Sequence, residues 1–178
     1  MKTLFRPLLA CLSLSACCFA NDEPISIEEF ASLIPEWEVA ANDPDTIVGD
    51  NGRAYGRFQI HKVMVDDYNR IAGKTAKHSD AFDPEFSKEL AKVVLTHYAK
   101  HIHNQGIKPN TDHLLYIWNG GGGAWKRVEN PVDDMKQRNL KVYRSKATVV
   151  IRNFRSAKSK QGATMPSEED NVVEDSQG

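Results

Sequence analysis

The chain has 178 residues, with 23 Lys and Arg against 24 Asp and Glu and a formal net charge of −1, a length that corresponds to one domain. All three cysteines (Cys11, Cys17 and Cys18) lie near the N-terminus, which excludes a disulfide or a cysteine-ligated metal from the body of the chain. No stretch beyond the first twenty residues is apolar enough to cross a membrane.

In chain order, Lys2 and Arg6 precede a short apolar run from Leu8 to Ala16, the layout of a secretory signal. Residues 1–20 are therefore set apart, and the protein is expected to be exported. Two cleavage points compete. Leu14-Ser15-Ala16-Cys17 resembles a lipobox, which would leave Cys17 as a lipid-anchored N-terminus on an outer-membrane lipoprotein. Cys18-Phe19-Ala20 is a small-x-small site that would release a periplasmic or secreted protein. The lipobox is the preferred reading.

Ser26-x-x-Glu29 is a capping box ahead of Ile27, Phe30, Leu33 and Ile34 at helical spacing. Pro35 is expected to bend or restart that helix, with a further turn through Trp37 and Glu38 to about Ala41. Thr46–Val48, Asp50-Asn51-Gly52 and Ala54–Ile60 read as a small hairpin or extended loop. A helix follows with Ile60, Met64, Tyr68 and Ile71 on one side, closed by Gly73. Asp83-Pro84 opens what is expected to be the longest helix, with Phe86, Leu90, Val93 and Val94 buried and an end near His103. Asn110 or Thr111 caps another through Leu114, Leu115 and Trp118, ending at Asn119 and four glycines. A last basic helix places Leu140, Tyr143, Ala147, Val150, Ile151 and Phe154 on one face. Residues 157–178, with Glu168, Glu169, Asp170, Glu174 and Asp175 and no apolar period, read as a disordered acidic tail. Residues 21–156 are then one mainly α (α+β) domain, a helical bundle with a small β-hairpin insertion.

Between Ile25 and Ser156 there are 19 basic and 17 acidic residues, yet from Asn119 to Ser156 the balance is nine to three. A basic flank of this kind suits an anionic partner or is a solvated helix face. His97 and His101 lie four apart within the apolar stripe of their helix, where partnered core histidines are expected rather than metal ligands. No metal and no cofactor are expected, and His78 and His113 carry no signal.

Three segments remain: Glu38 near a helix end, Gly56-Arg57-Phe58-Gln59-Ile60, and Trp118-Asn119-Gly120-Gly121. In order and spacing they resemble the lysozyme-like superfamily, specifically goose-type lysozymes and soluble lytic transglycosylases. Those proteins carry a catalytic Glu at a helix end, then Gly-x-x-Gln-(Ile/Val), then an aromatic-Asn-Gly-Gly segment. The resemblance spans about Ile25 to Phe154 and implies a lysozyme-like fold. The implied activity is cleavage of the β-1,4 bond between N-acetylmuramic acid and N-acetylglucosamine in peptidoglycan, with Glu38 as general acid. Such an acid must stay protonated near neutral pH, which burial beside apolar groups and the negative end of a helix dipole both favour. Glu36, about 200° away on the same helix, is expected at the surface.

Asp50 matches an Asp that goose-type enzymes carry upstream of Gly-x-x-Gln. Its implied role is to hold water for inverting attack, which needs a carboxyl separation of about 6.5–9.5 Å; Asp50-Asn51-Gly52 is equally a plain hairpin turn. Gly56 and Gln59 are expected to line the cleft, the alternatives being a bend for Gly56 and a local backbone bond for Gln59. Tyr55 and Trp118 are candidates for sugar stacking or for the core. Asn119 and Gly120 lie at a helix end beside the implied cleft, and Arg53 and Arg57 are exposed charges or contacts to acidic substrate groups. The chain departs from the family pattern at Val39 (commonly Ser), Phe58 (often Met) and His61 (an acid in goose-type enzymes). The alternatives to a hydrolase are a transglycosylase leaving 1,6-anhydro ends, a non-catalytic wall-binding protein and a chitin- or chitosan-cleaving relative. The expected partner is the peptidoglycan glycan strand, with no nucleic acid and the protein a monomer.

Overall fold

The computed structural model describes residues 25–162. The signal segment, both cleavage points and Cys17 lie outside the described residues, as does the tail from residue 163. The described chain is mainly helical, with six α-helices and one three-stranded antiparallel sheet.

Helix α1 (Ile27–Glu38) begins at the expected capping box: Ser26 accepts from the Glu29 amide, and Glu29 accepts from the Ser26 amide. It runs through Pro35 without restarting and ends at Glu38 rather than near Ala41, because Val39 turns to extended backbone (φ −133°, ψ 165°). Proline removes a single ladder bond, and the buried Ile34 and Trp37 on either side hold the helix together.

Strands β1 (Val48–Gly49), β2 (Ala54–Tyr55) and β3 (Ile60–His61) form the small sheet, with Gly49 opposite Ala54 and Tyr55 opposite Ile60. The first turn is a left-handed run through Asp50, Asn51 and Gly52, residue types that tolerate this region. The second needs Gly56. Its φ is +70°, and a Cβ built there would stand 2.1 Å from the Ala81 carbonyl oxygen, so the sheet docks backbone to backbone on the 3₁₀ turn His78–Phe82.

Helix α2 (Lys62–Ala72) closes with left-handed Gly73, and α3 (Pro84–Asn104) opens with Asp83 capping Glu85 and Phe86. Helix α4 (Thr111–Gly120) is capped by Asn110, whose side chain accepts from the His113 amide. His113, silent in the sequence, is buried: its Nδ1 accepts from the Asn110 amide, which leaves Nε2–H facing Glu129 at 2.9 Å. That pair joins α4 to the short α5 (Lys126–Glu129). Helix α6 (Met135–Gly162), not α3, is the longest, and it passes the expected domain end at Ser156 by six residues. Asp134 accepts from the Gln137 amide at its start, and no proline or glycine interrupts it before Gly162.

One continuous core joins these elements, with Phe30, Ile34, Leu90, Leu95, Leu115 and Leu140 among its members. Each such side chain contributes about 1.5–3 kcal/mol on burial, which is how a body without disulfides holds together. His97 and His101 are exposed rather than core residues. The buried side of α3 runs through Leu90, Val94, Leu95 and Ile102, leaving both histidines at its rim.

Gly56→Ala is expected to destabilise the domain by more than about 2 kcal/mol, from the left-handed φ and the Ala81 contact together. A urea unfolding midpoint, compared with that of Gly52→Ala, whose Cβ meets open space, measures the difference due to the contact.

Candidate active site

Glu38 is the last residue of α1, and α4 and α6 enclose its carboxyl. Trp118 of α4 donates its indole N–H to Glu38 Oε1 at 3.0 Å, and Tyr143 of α6 donates its hydroxyl to the same oxygen at 2.5 Å. The Tyr143 oxygen in turn accepts the indole N–H of Trp37 at 2.6 Å. Both tryptophans and Tyr143 are buried. The cluster is a directional chain, Trp37 to Tyr143 to Glu38, closed from the other side by Trp118.

Two forces set the acidity of Glu38. Burial disfavours the charged form and dominates, while the Tyr143 and Trp118 bonds and the nearby Lys146 ammonium act in the opposite direction; the balance lies at about 7. Helix α1 carries no basic residue in its last turn, so the negative end of its dipole adds to the cost of ionisation. With Oε1 receiving two donors, the carboxyl proton belongs on Oε2. That oxygen makes no hydrogen bond among the described residues and is not sealed from solvent, so its proton is accessible. Tyr143 is held protonated, its acidity pushed well down by burial and by the Glu38 carboxyl beside it.

Asp50 sits apart from this chain of bonds. It is exposed, with Oδ1 on Arg53 at 2.9 Å and Oδ2 at 3.4 Å from His61 Nε2. Glu36 is exposed, as expected. Gln59 has a positive φ of 50°, and both its backbone N–H and its side-chain amide donate to the Gly56 carbonyl at 2.9 Å. Gly-x-x-Gln is therefore a self-braced turn. The Gln59 side chain covers Gly49, where a Cβ would fall 1.8 Å from Oε1. Arg57 donates to the Ala41 carbonyl at 2.7 Å and lies 3.4 Å from Asp45, which ties the loop that leaves Glu38 to the sheet.

Tyr55 is stacked on His78 (3.9 Å, 5°) and on Phe82 (4.8 Å, 12°). Two rings so close and so nearly parallel to a third can only occupy its opposite faces, so no face of Tyr55 is open for a sugar. Trp118 is only 7 % exposed and meets Glu38 through its N–H instead of offering a stacking surface. Asn119 is exposed at the end of α4. Gly120 packs against Ala124, and Gly122 packs against the ring of Tyr98; a Cβ on either would meet those side chains at 2.6 and 1.9 Å. The glycines thus let the chain leave α4 closely packed. An open hollow of about 440 Å³ between α2 and α3, lined by Ile71, Lys92, Val93 and His97 among others, shares no residue with the Glu38 cluster. Among the described residues no group of three or more His, Cys, Asp or Glu side chains is placed to hold a metal ion.

Sequence patterns alone did not reveal Tyr143 and Trp37 as site residues. Both sit at regular core positions, and the signal they carried was a polar atom on each, since a buried hydroxyl or indole N–H needs a partner.

Because the acidity of Glu38 is weakened by folding, its contribution opposes stability as pH rises from its ordinary value of 4.5 to about 7 and is constant above that. Glu38→Gln is therefore expected to be more stable than the parent by about 1–3 kcal/mol at about pH 8.5, with the difference shrinking towards about pH 4. Denaturant titrations at both pH values check this.

Compared with known proteins, the chain matches no family model, no curated relative and no solved structure.

Proposed function

We propose that the protein is a lysozyme-like glycosidase that cleaves the β-1,4 bond between N-acetylmuramic acid and N-acetylglucosamine in peptidoglycan, with Glu38 as the general acid. One observation carries this reading: a carboxyl of pKa about 7, clamped through one oxygen by Trp118 and Tyr143 with the other left to deliver its proton. The substrate class rests on the resemblance of Glu38, Gly56–Ile60 and Trp118–Gly121 to the goose-type lysozymes and lytic transglycosylases.

Cleavage of a glycosidic bond needs a proton on the leaving oxygen as the sugar takes on oxocarbenium character. Glu38 Oε2 supplies it. The carboxylate left behind is stabilised by the Tyr143 hydroxyl, the Trp118 indole and Lys146, the groups that lower its pKa. In inverting hydrolysis the proton of the water goes to Asp50. In attack by the substrate's own 6-hydroxyl, the Glu38 carboxylate is then the base that takes the hydroxyl proton. A group balanced near 7 does both tasks at neutral pH.

For hydrolysis, Asp50 is the candidate to hold the attacking water. Both of its oxygens are already engaged, Oδ1 by the Arg53 guanidinium and Oδ2 by the His61 ring, and one of these has to yield before water is held. That pairing favours a second reading, attack by the 6-hydroxyl of the substrate's own muramic acid to leave a 1,6-anhydro end. Asn119 and Gly120 border the site at the end of α4, and Gly56 and Gln59 act by shaping the loop. The proposed setting is outside the cytoplasm, with the glycan strand as partner.

Purified sacculi are expected to release muropeptides on incubation with the protein, and Glu38→Gln is expected to lower release by at least about a hundredfold. Wild-type protein that pellets with sacculi and releases nothing would mark a wall-binding protein. Fragment masses separate the two reactions, since anhydro ends lack one water; Asp50→Asn slows the hydrolase strongly and the transglycosylase little. Release should fall as pH rises through about 7. Tyr143→Phe removes a bond that lowers the Glu38 pKa, so the alkaline limb of its pH profile should move upward.

A further inference from the structure

Helix α6 has two faces of different character. Tyr143, Leu140, Ala147 and Ile151 are buried on the inner one. Across its 28 residues the helix carries nine Lys or Arg and no acidic residue. Arg144 and Lys158 are engaged by Asp112 and Glu29, while Arg138, Lys141 and Arg152 are exposed. Among these cations stand three of the large exposed apolar side chains: Met135 (66 %), Val142 (61 %) and Val149 (54 %). They are spaced by seven residues, so they form one stripe within about 40° on the side opposite the core.

A face that merely meets water has no need of a single charge sign or of an apolar stripe. A plain polyanion explains the cations but leaves the stripe without a partner. An anionic lipid surface satisfies both, with headgroups paired to Lys and Arg and short apolar side chains entering the boundary with the acyl region. We propose that the outer face of α6 docks the protein on anionic bilayers. Among the described residues no helix is long and apolar enough to cross a membrane, so the contact is peripheral. The helix lies flat along about 42 Å of its length. Tyr143 reaches Glu38 from the inner face, which places the acid roughly one helix diameter, about 10 Å, above the lipid.

The test uses residues 21–178, which contain the whole core, pelleted with vesicles of phosphatidylcholine alone or mixed with equal parts phosphatidylglycerol. Binding is expected only with phosphatidylglycerol and should weaken with salt. Each cation contributes about fivefold, so the combined Arg138→Glu, Lys141→Glu and Arg152→Glu variant should lose at least about a hundredfold. Val142→Ser with Val149→Ser should lose about fivefold or more. These positions are exposed, and unchanged circular dichroism and melting of each variant separate lost docking from lost fold. Absence of phosphatidylglycerol-dependent binding overturns the proposal. So does binding that the serine pair leaves unchanged, because the occupant is then a plain polyanion, whether wall polymer, nucleic acid or the chain's own acidic tail.

Discussion

A carboxyl group withdrawn from water at the junction of three helices is the constraint around which this structure is arranged. Burying a charge is costly unless it is paired, and a carboxyl can instead remain neutral. Glu38 takes the second course, and its surroundings limit how far that goes. Trp118 and Tyr143 donate to one oxygen and keep the charged form within reach. The same bonds join the end of α1 to α4 and α6. Tyr143 is itself oriented by Trp37, one residue before the acid. The raised pKa and the packing of three helices thus depend on the same four side chains.

The small sheet has a different task. Gly56 presses the chain against Ala81, Gln59 folds back on Gly56, and Arg57 grips Ala41. The polar groups of the segment are largely used to hold the segment itself and the loop that leaves Glu38. Tyr55 is closed in between His78 and Phe82. What resembles a row of substrate contacts is, physically, a brace, and in the proposed reaction the chemistry rests on one acid. In the proposed reaction the nucleophile, water or a hydroxyl of the substrate, then decides between hydrolysis and an anhydro product, with Asp50 entering only if it leaves Arg53 or His61.

Helix α6 connects the acid to the outside of the molecule. Its inner face supplies the hydroxyl that touches Glu38, and its outer face is uniformly basic with an apolar stripe. The two faces are compatible because a helix separates residues 180° apart by its full diameter. A strongly basic surface thereby coexists with an acid whose pKa is still raised; of its cations, only Lys146 bears noticeably on Glu38.

Much of the fold was legible in the sequence, because it depends on neighbours in the chain. Ser26 and Glu29 cap α1, Asp83 and Pro84 open α3, Gly73 closes α2, and the apolar spacing in α6 marks its buried face. These are contacts over three to seven residues, which periodicity records. The length of α6 and the exposure of His97 and His101 were less accessible, since an uninterrupted helix continues until something stops it, and a wheel shows angles but not where a partner helix ends. Glu38 stood out by its place at a helix end. Its environment did not, because Tyr143 is 105 residues away and Trp118 is 80. The sequence by itself determined which segments coil and singled out Glu38 by its place at a helix end. Only the tertiary structure decided that this acid is shielded and held by two donors, because desolvation is produced by groups that meet in space and leave no mark on local spacing.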